Sequence, residues 1–149
     1  MSIAPQDLVE AALSVVTLPC VGSVRERTEA NLRWANNALI TNGEMRSRTL
    51  TVTATAEVEG GMAAGTVSQE IAGVAEVAAV VAAAEGLART GRPAEDAAPM
   101  VQNYAHNDVW TDPPEATSIE VLDDLAKGLG DAFERAEAAQ HLLYGFAEH

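Results

Sequence analysis

The run His106-Asn107-Asp108-Val109-Trp110-Thr111-Asp112 gathers one imidazole and two carboxylates. Those are the donors a divalent cation accepts. The run lies among prolines and polar residues, and a loop does not by itself hold three ligands in place. A solvated polar loop is the plainer reading. The chain has three histidines, His106, His141 and His149. None is joined by a glutamate and a second histidine at the spacing of a zinc-binding helix. Cys20 is the only cysteine, so no internal disulfide can form. With no histidine or basic run beside it, a buried inert thiol is expected. Ser14, Ser23 and Ser118 lack the Gly-x-Ser-x-Gly surroundings of a nucleophile elbow and have no base nearby in sequence. No catalytic constellation is visible, and no residue is assigned a catalytic, metal or cofactor role.

Binding is the chemistry the basic residues suit better. Arg25, Arg27, Arg33, Arg46 and Arg48 are five of the nine Lys and Arg residues. They fall in or beside segments with strand-like patterning, and alternation puts some of them on one sheet face. Such a face would bind peptide carboxylates or an acidic helix. The plainer alternative is a solvated face balanced by Glu26, Glu29 and Glu44. Of the two tryptophans, Trp34 sits on an alternating segment and is expected between sheet and helix. Trp110, flanked by Asp108 and Asp112, is the better interface anchor. The candidate peptide or partner surface is therefore Arg33, Arg46, Arg48 and Trp110.

Composition bounds what can position these residues. At 149 residues the chain is long enough for one domain with a core. Apolar residues make up 48% but aromatics only 4%, so the core is expected to be thin and built from Val, Leu and Ala. The net charge of −13 argues against a nucleic-acid partner, because a phosphate backbone demands clustered Lys and Arg. The start MSIAPQDLVE has no basic region and no long apolar run, which argues against a signal peptide. No stretch reaches the roughly 20 apolar residues of a membrane span. A single cysteine fits a reducing compartment, and the cytoplasm is the expected location.

The elements follow from periodicity. Pro5 to Val16 reads as a helix with Leu8, Val9, Ala12, Leu13 and Val16 as its stripe. Val21 to Glu29 and Asn31 to Ala35 read as strands. Asn36-Asn37 is expected as a hairpin turn, because asparagine tolerates positive φ. Ala38 to Thr41 returns, and Asn42-Gly43 is expected as an irregular loop. From Arg48 to Val58 the alternation is clearest, with Leu50, Val52, Ala54, Ala56 and Val58 on one face and threonines on the other. Gly60-Gly61 reads as a turn and Met62 to Val67 as the returning strand. Ala63, Ala64 and Gly65 there have so little side chain that close packing over them is expected. Gln69 to Arg89 reads as a helix capped by Ser68, with Ile71, Val74, Val77, Ala78, Val81 and Ala88 buried. Residues 92–117 read as a long loop. Thr117 to Glu120 fits a capping box for a helix from Ser118 to about Gln140, with Gly128 and Gly130 as weak points. Residues 141–149 read as the start of a strand cut off from its partners. The fold class is α+β, with an antiparallel or mixed sheet of about four to five strands and helices packed on it.

In order, these segments resemble the N-terminal domain of the TldD/PmbA family, metal-dependent peptidases of peptide maturation and their partners. Leu32-Arg33-Trp34-Ala35-Asn36-Asn37 occupies the family's first strand pattern, of the form VRV-x-NG. Arg48-Thr49-Leu50-Thr51-Val52 occupies the second, G-x-x-V-x-V. Gly60-Gly61 and Ala64-Gly65-Thr66 look like its glycine turn and following strand. The segment 69–89 has the expected alanine-rich character. Ile119 to His149 looks like the helix that leads into the family's C-terminal domain, with LLYGFAEH as the first strand there. The resemblance covers nearly the whole chain and rests on the ordered combination of degenerate patterns. It implies a non-catalytic domain that shapes a peptide-binding cavity and contacts a homologous TldD/TldE-type subunit or a second copy. Catalytic members carry zinc on an HExxxH helix in the C-terminal half. This chain has no such motif, so zinc would belong to that half or to the partner. The RWANN and TNG segments look closer to the PmbA/TldE side, whose members often lack the metal motif. The older family label, modulator of DNA gyrase, would then describe an indirect effect. The alternative from another class is a stand-alone assembly module that self-associates through its sheet edge and the apolar segment Leu142 to Phe146.

Overall fold

A computed structural model describes residues 3–101 and 107–149. The fold class is α+β: the described residues form one antiparallel four-stranded sheet in the order β3-β2-β1-β4 and three helices. The elements are α1 (Pro5–Val15), β1 (Cys20–Ala35), β2 (Ala38–Val58), β3 (Gly61–Glu70), α2 (Val77–Thr90), α3 (Asp123–Ala138) and β4 (Gly145–Glu148). Short 3-10 turns, Val74–Glu76 and Ile119–Leu122, lead into α2 and α3. The chain divides into two compact units. One comprises residues 1–26 and 47–114, the other residues 27–46 and 115–149.

In the first unit, strand alternation makes the core. Leu50, Val52, Ala54 and Ala56 of β2 are buried, while Thr49, Thr51 and Thr53 of the opposite face are half-buried. Two of those threonines pair across the strands, Thr51 with Ser68 and Thr53 with Thr66, each at 2.9 Å. Leu8 and Ala12 of α1 and Val77, Val80, Val81, Ala84 and Ala88 of α2 close over the apolar face. Each fully buried Leu or Val stabilises by ~1.5–3 kcal/mol relative to exposure. The close packing expected over β3 is present and has a specific cause. A Cβ on Gly65 would lie 2.3 Å from the Ala84 carbonyl oxygen and 2.4 Å from the Ala88 nitrogen. Only glycine lets the backbone of α2 approach β3 this closely. Ala63 is buried on the same side, whereas Ala64 points to solvent.

Several boundaries differ from the sequence reading. The segment read as a helix from Gln69 begins as strand, since β3 pairs with β2 as far as Glu70 opposite Thr49. Ser68 pairs with Thr51 and is no helix cap. The Ile71 amide continues the ladder onto the Arg48 carbonyl at 3.0 Å. Gly73 is fully extended at φ −177°, so α2 starts only at Val77. The later start rotates the buried stripe, and Val80 and Ala84 are inside where Val74 and Ala78 were expected. Asn42-Gly43 forms no loop; both lie within β2, and neither has a positive φ. The turn before β3 is Glu59-Gly60, with Gly60 at φ 92°.

In the second unit, the expected break between two strands at Ala30 is absent. Ala30 is buried, and its amide and carbonyl both bond to His149, at 3.1 and 2.9 Å. Asn36 and Asn37, at φ 52° and 58°, make the predicted two-residue hairpin turn. The final segment is not cut off from a partner. It is β4, antiparallel to β1 with Asn31 opposite Glu148 and Trp34 opposite Gly145. The core here is Ala30, Leu32, Leu122 and Leu129, bordered by Trp34, Ile119, Ala126 and Phe133. Ser118, the residue before the turn, makes no side-chain capping bond, and Ile119–Leu122 is a 3-10 turn. The Ile119 amide is satisfied instead by Glu44 Oε1 at 2.6 Å. Gly128 and Gly130 sit within α3 without breaking it.

Candidate binding surface

Strand parity decides which arginines are available. On β1 of the first unit, odd-numbered residues face out, and Arg25 is exposed. Arg48 has the opposite orientation, which corrects its place on the candidate surface. It is buried on the core side of β2, paired with Glu26, and donates from Nη2 to the Ile3 carbonyl at 2.6 Å. A guanidinium cannot be left unpaired at that depth, so Arg48 is part of the packing.

In the second unit Arg27, Arg33 and Arg46 are exposed. Arg27 is held by Glu29 at 2.8 Å and Glu148 at 3.0 Å. The Arg33 guanidinium makes no ion pair with any described residue. It stands opposite Phe146 on β4. Along this edge Leu142, Tyr144 and Phe146 are 62%, 61% and 57% exposed, while Leu143, Gly145 and Ala147 are half-buried. An apolar side chain therefore projects at every second position beside Arg33. Polar side chains hold the segment in place. The Asn37 amide donates to the His141 carbonyl at 2.8 Å and accepts from the Leu143 amide at 2.7 Å. It thus stands in for the missing end of the β1–β4 ladder. Tyr144 bonds through its hydroxyl to Asn36. On the core side, the Trp34 ring lies across Gly145, where a Cβ would come within 2.2 Å of it.

The remaining candidates are placed as follows. Trp110 is 39% exposed and donates from Nε1 to Glu10 of α1 at 3.0 Å. Asp112 accepts from Gln6 through its carbonyl at 3.4 Å. His106 lies outside the described residues, and no group of three or more metal-ligating side chains occurs among those described. Cys20 is half-buried, and burial pushes its thiol up, with the Glu85 charge adding to the effect. Few thiolates are therefore present at neutral pH. An open cleft of about 670 Å³ in the second unit is lined by Thr28, Thr117, Glu120 and His149 among others. Thr117 Oγ1 and His149 Nδ1 are 3.0 Å apart there. Among the described residues no hydrogen bond orients the far side of that imidazole, as an activated hydroxyl would need.

Sequence reasoning missed Glu85. Its carboxylate lies under the α1–β1 connection and accepts from the Thr17 amide at 2.5 Å, the Thr17 hydroxyl at 2.7 Å and the Leu18 amide at 2.8 Å. Arg89 adds contacts at 3.2 Å. Those bonds, from Thr17 first, hold its pKa down to about 2 against the desolvation that opposes them. The available signal was a glutamate falling on the buried stripe of an alanine-rich helix.

No helix among the described residues is long and apolar enough to cross a membrane. No family model matches the chain, and no curated protein matches it.

Proposed function

We propose that this chain is a non-catalytic domain of the TldD/PmbA type that binds peptide and contacts a homologous subunit. The observation that carries the reading is where the resembling patterns fall. The Arg33-Trp34 run closes the β1–β2 hairpin at Asn36-Asn37, and the glycine turn leads into β3. The alanine-rich helix packs on Gly65 of that strand. Within one unit the surface offered to a peptide or partner is Arg33 with Arg46; Trp110, in the other unit, is a separate candidate. Chemistry would come from zinc held outside this chain, in the family's C-terminal half or in the partner, and a cytoplasmic setting accompanies the reading. The purified chain should cleave no unfolded peptide when supplied with zinc, manganese or cobalt. It should co-sediment with a zinc-bearing TldD-type subunit. Metal-dependent cleavage by the chain itself would overturn the reading.

A further inference from the structure

Hydrogen-bond parity along β4 shows where a peptide would sit. Ala30 and His149 exchange both of their backbone bonds, which makes them a hydrogen-bonded pair. In an antiparallel ladder such pairs alternate. Leu32–Ala147 and Trp34–Gly145 are therefore also hydrogen-bonded pairs, and Arg33–Phe146 and Asn31–Glu148 are not. The N–H and C=O groups of Phe146 and Glu148 consequently point away from β1, toward the free edge of the sheet. β4 is the terminal strand of the order β3-β2-β1-β4, so no described strand meets those groups. An open edge of this kind is a template for another strand.

Two further features lie beside it, one on β4 and the segment before it and one on the neighbouring strand β1. The alternating side chains of Leu142, Tyr144 and Phe146 are all more than half exposed. Beside Phe146 stands Arg33, a cation without an ion pair to any described residue, in a chain of net charge −13. We propose that the free edge of β4 takes up an extended peptide as a further antiparallel strand. Leu142, Tyr144 and Phe146 would hold its apolar side chains and Arg33 a carboxylate. The charge of Arg33 selects the occupant: an acidic residue within an otherwise apolar, extended segment. A second copy of the chain is disfavoured, because it would bring another −13 against this one. The inference rests on the reading of the chain as a peptide-binding domain and specifies where the peptide lies.

The test uses a fluorescein-labelled peptide of alternating valine and threonine with one central aspartate, followed by anisotropy. Binding is expected to be saturable and to weaken at least about tenfold with Arg33→Glu. A peptide with lysine replacing the aspartate should restore binding to Arg33→Glu. Phe146→Pro removes an outward N–H that β1 does not use, and should weaken binding by a similar factor. The same peptide N-methylated on its edge-facing amides should fail against the unaltered chain, so the outcome does not depend on the proline variant folding. Arg25→Glu, in the other unit, should leave binding unchanged. Saturable binding that ignores both the Arg33 and the Phe146 change would overturn this location while leaving the peptide-binding reading intact. No saturable binding of either peptide would overturn both. A dimer in sedimentation that Phe146→Pro dissociates would overturn the inference by assigning the edge to a second copy.

Discussion

The two units of this molecule are stabilised by different means. Among the described residues, twelve buried side chains form the core of the first unit and four form that of the second. The first relies mainly on close approach, with alanines and a glycine under a helix backbone, and adds one carboxylate, Glu85, that accepts the amides of a tight connection. The second relies on side chains that satisfy backbone groups. Asn37 extends the β1–β4 ladder, Glu44 accepts the first amide of the 3-10 turn before α3, and Thr28 accepts the Thr117 amide at 3.0 Å. The contrast shows how a small core is supplemented. The second unit also keeps Leu142, Tyr144 and Phe146 in solvent.

Substitutions can break or sharpen this contrast. The largest effect is expected at Gly65. An added Cβ meets α2 backbone, which cannot swing aside as a side chain would, so Gly65→Ala should cost about 4 kcal/mol, above the usual range for overpacking. Urea titration measures it, and a loss under about 1 kcal/mol would show that the helix is not seated as described. Next come the two core leucines. Leu50→Ala should cost ~3 kcal/mol and Leu32→Ala ~2 kcal/mol, because a larger, tighter core has less freedom to collapse around the cavity. Equal losses, or the reverse order, would remove the distinction between the cores.

Glu85→Gln should cost about 2 kcal/mol through lost charge-assisted hydrogen bonds. Its pH dependence has a definite sign. The folded pKa, about 2, is below the ordinary 4.5, so the stability it supplies is complete above that value and is lost as pH falls toward 2. The unaltered chain should therefore lose stability over this interval more steeply than Glu85→Gln. Parallel curves would mean that the carboxylate does not titrate as the geometry requires. The smallest effect, roughly 1 kcal/mol, is expected for Gly145→Ala, since the obstructing group is the Trp34 ring at the border of the smaller core. A red shift in tryptophan emission should accompany it. An unchanged spectrum would argue that Trp34 does not cover β4.

Legibility in the sequence tracked how local the cause was. The alternation from Leu50 to Ala56, the paired asparagines of the hairpin and the small residues of β3 were all read correctly, because each acts through neighbouring residues. The candidate surface was only partly legible. Arg33 and Trp110 are exposed, but Arg48 is buried, since parity along a strand does not say which side a helix will cover. The apolar character of Leu142 to Phe146 and a strand near it were legible, but the pairing of that strand was not: it was read as lacking partners, and β4 pairs with β1, far away in sequence.

By itself the sequence determined the class of fold, the main strand faces and the absence of any patterned catalytic motif, because periodicity, turn chemistry and composition are properties of the chain. Only the tertiary structure decided where β3 ends and α2 begins, which arginine stays in solvent, and that Glu85 holds a distant turn. Those outcomes depend on pairing between segments far apart in sequence, where the groups left unsatisfied by one element must be met by another.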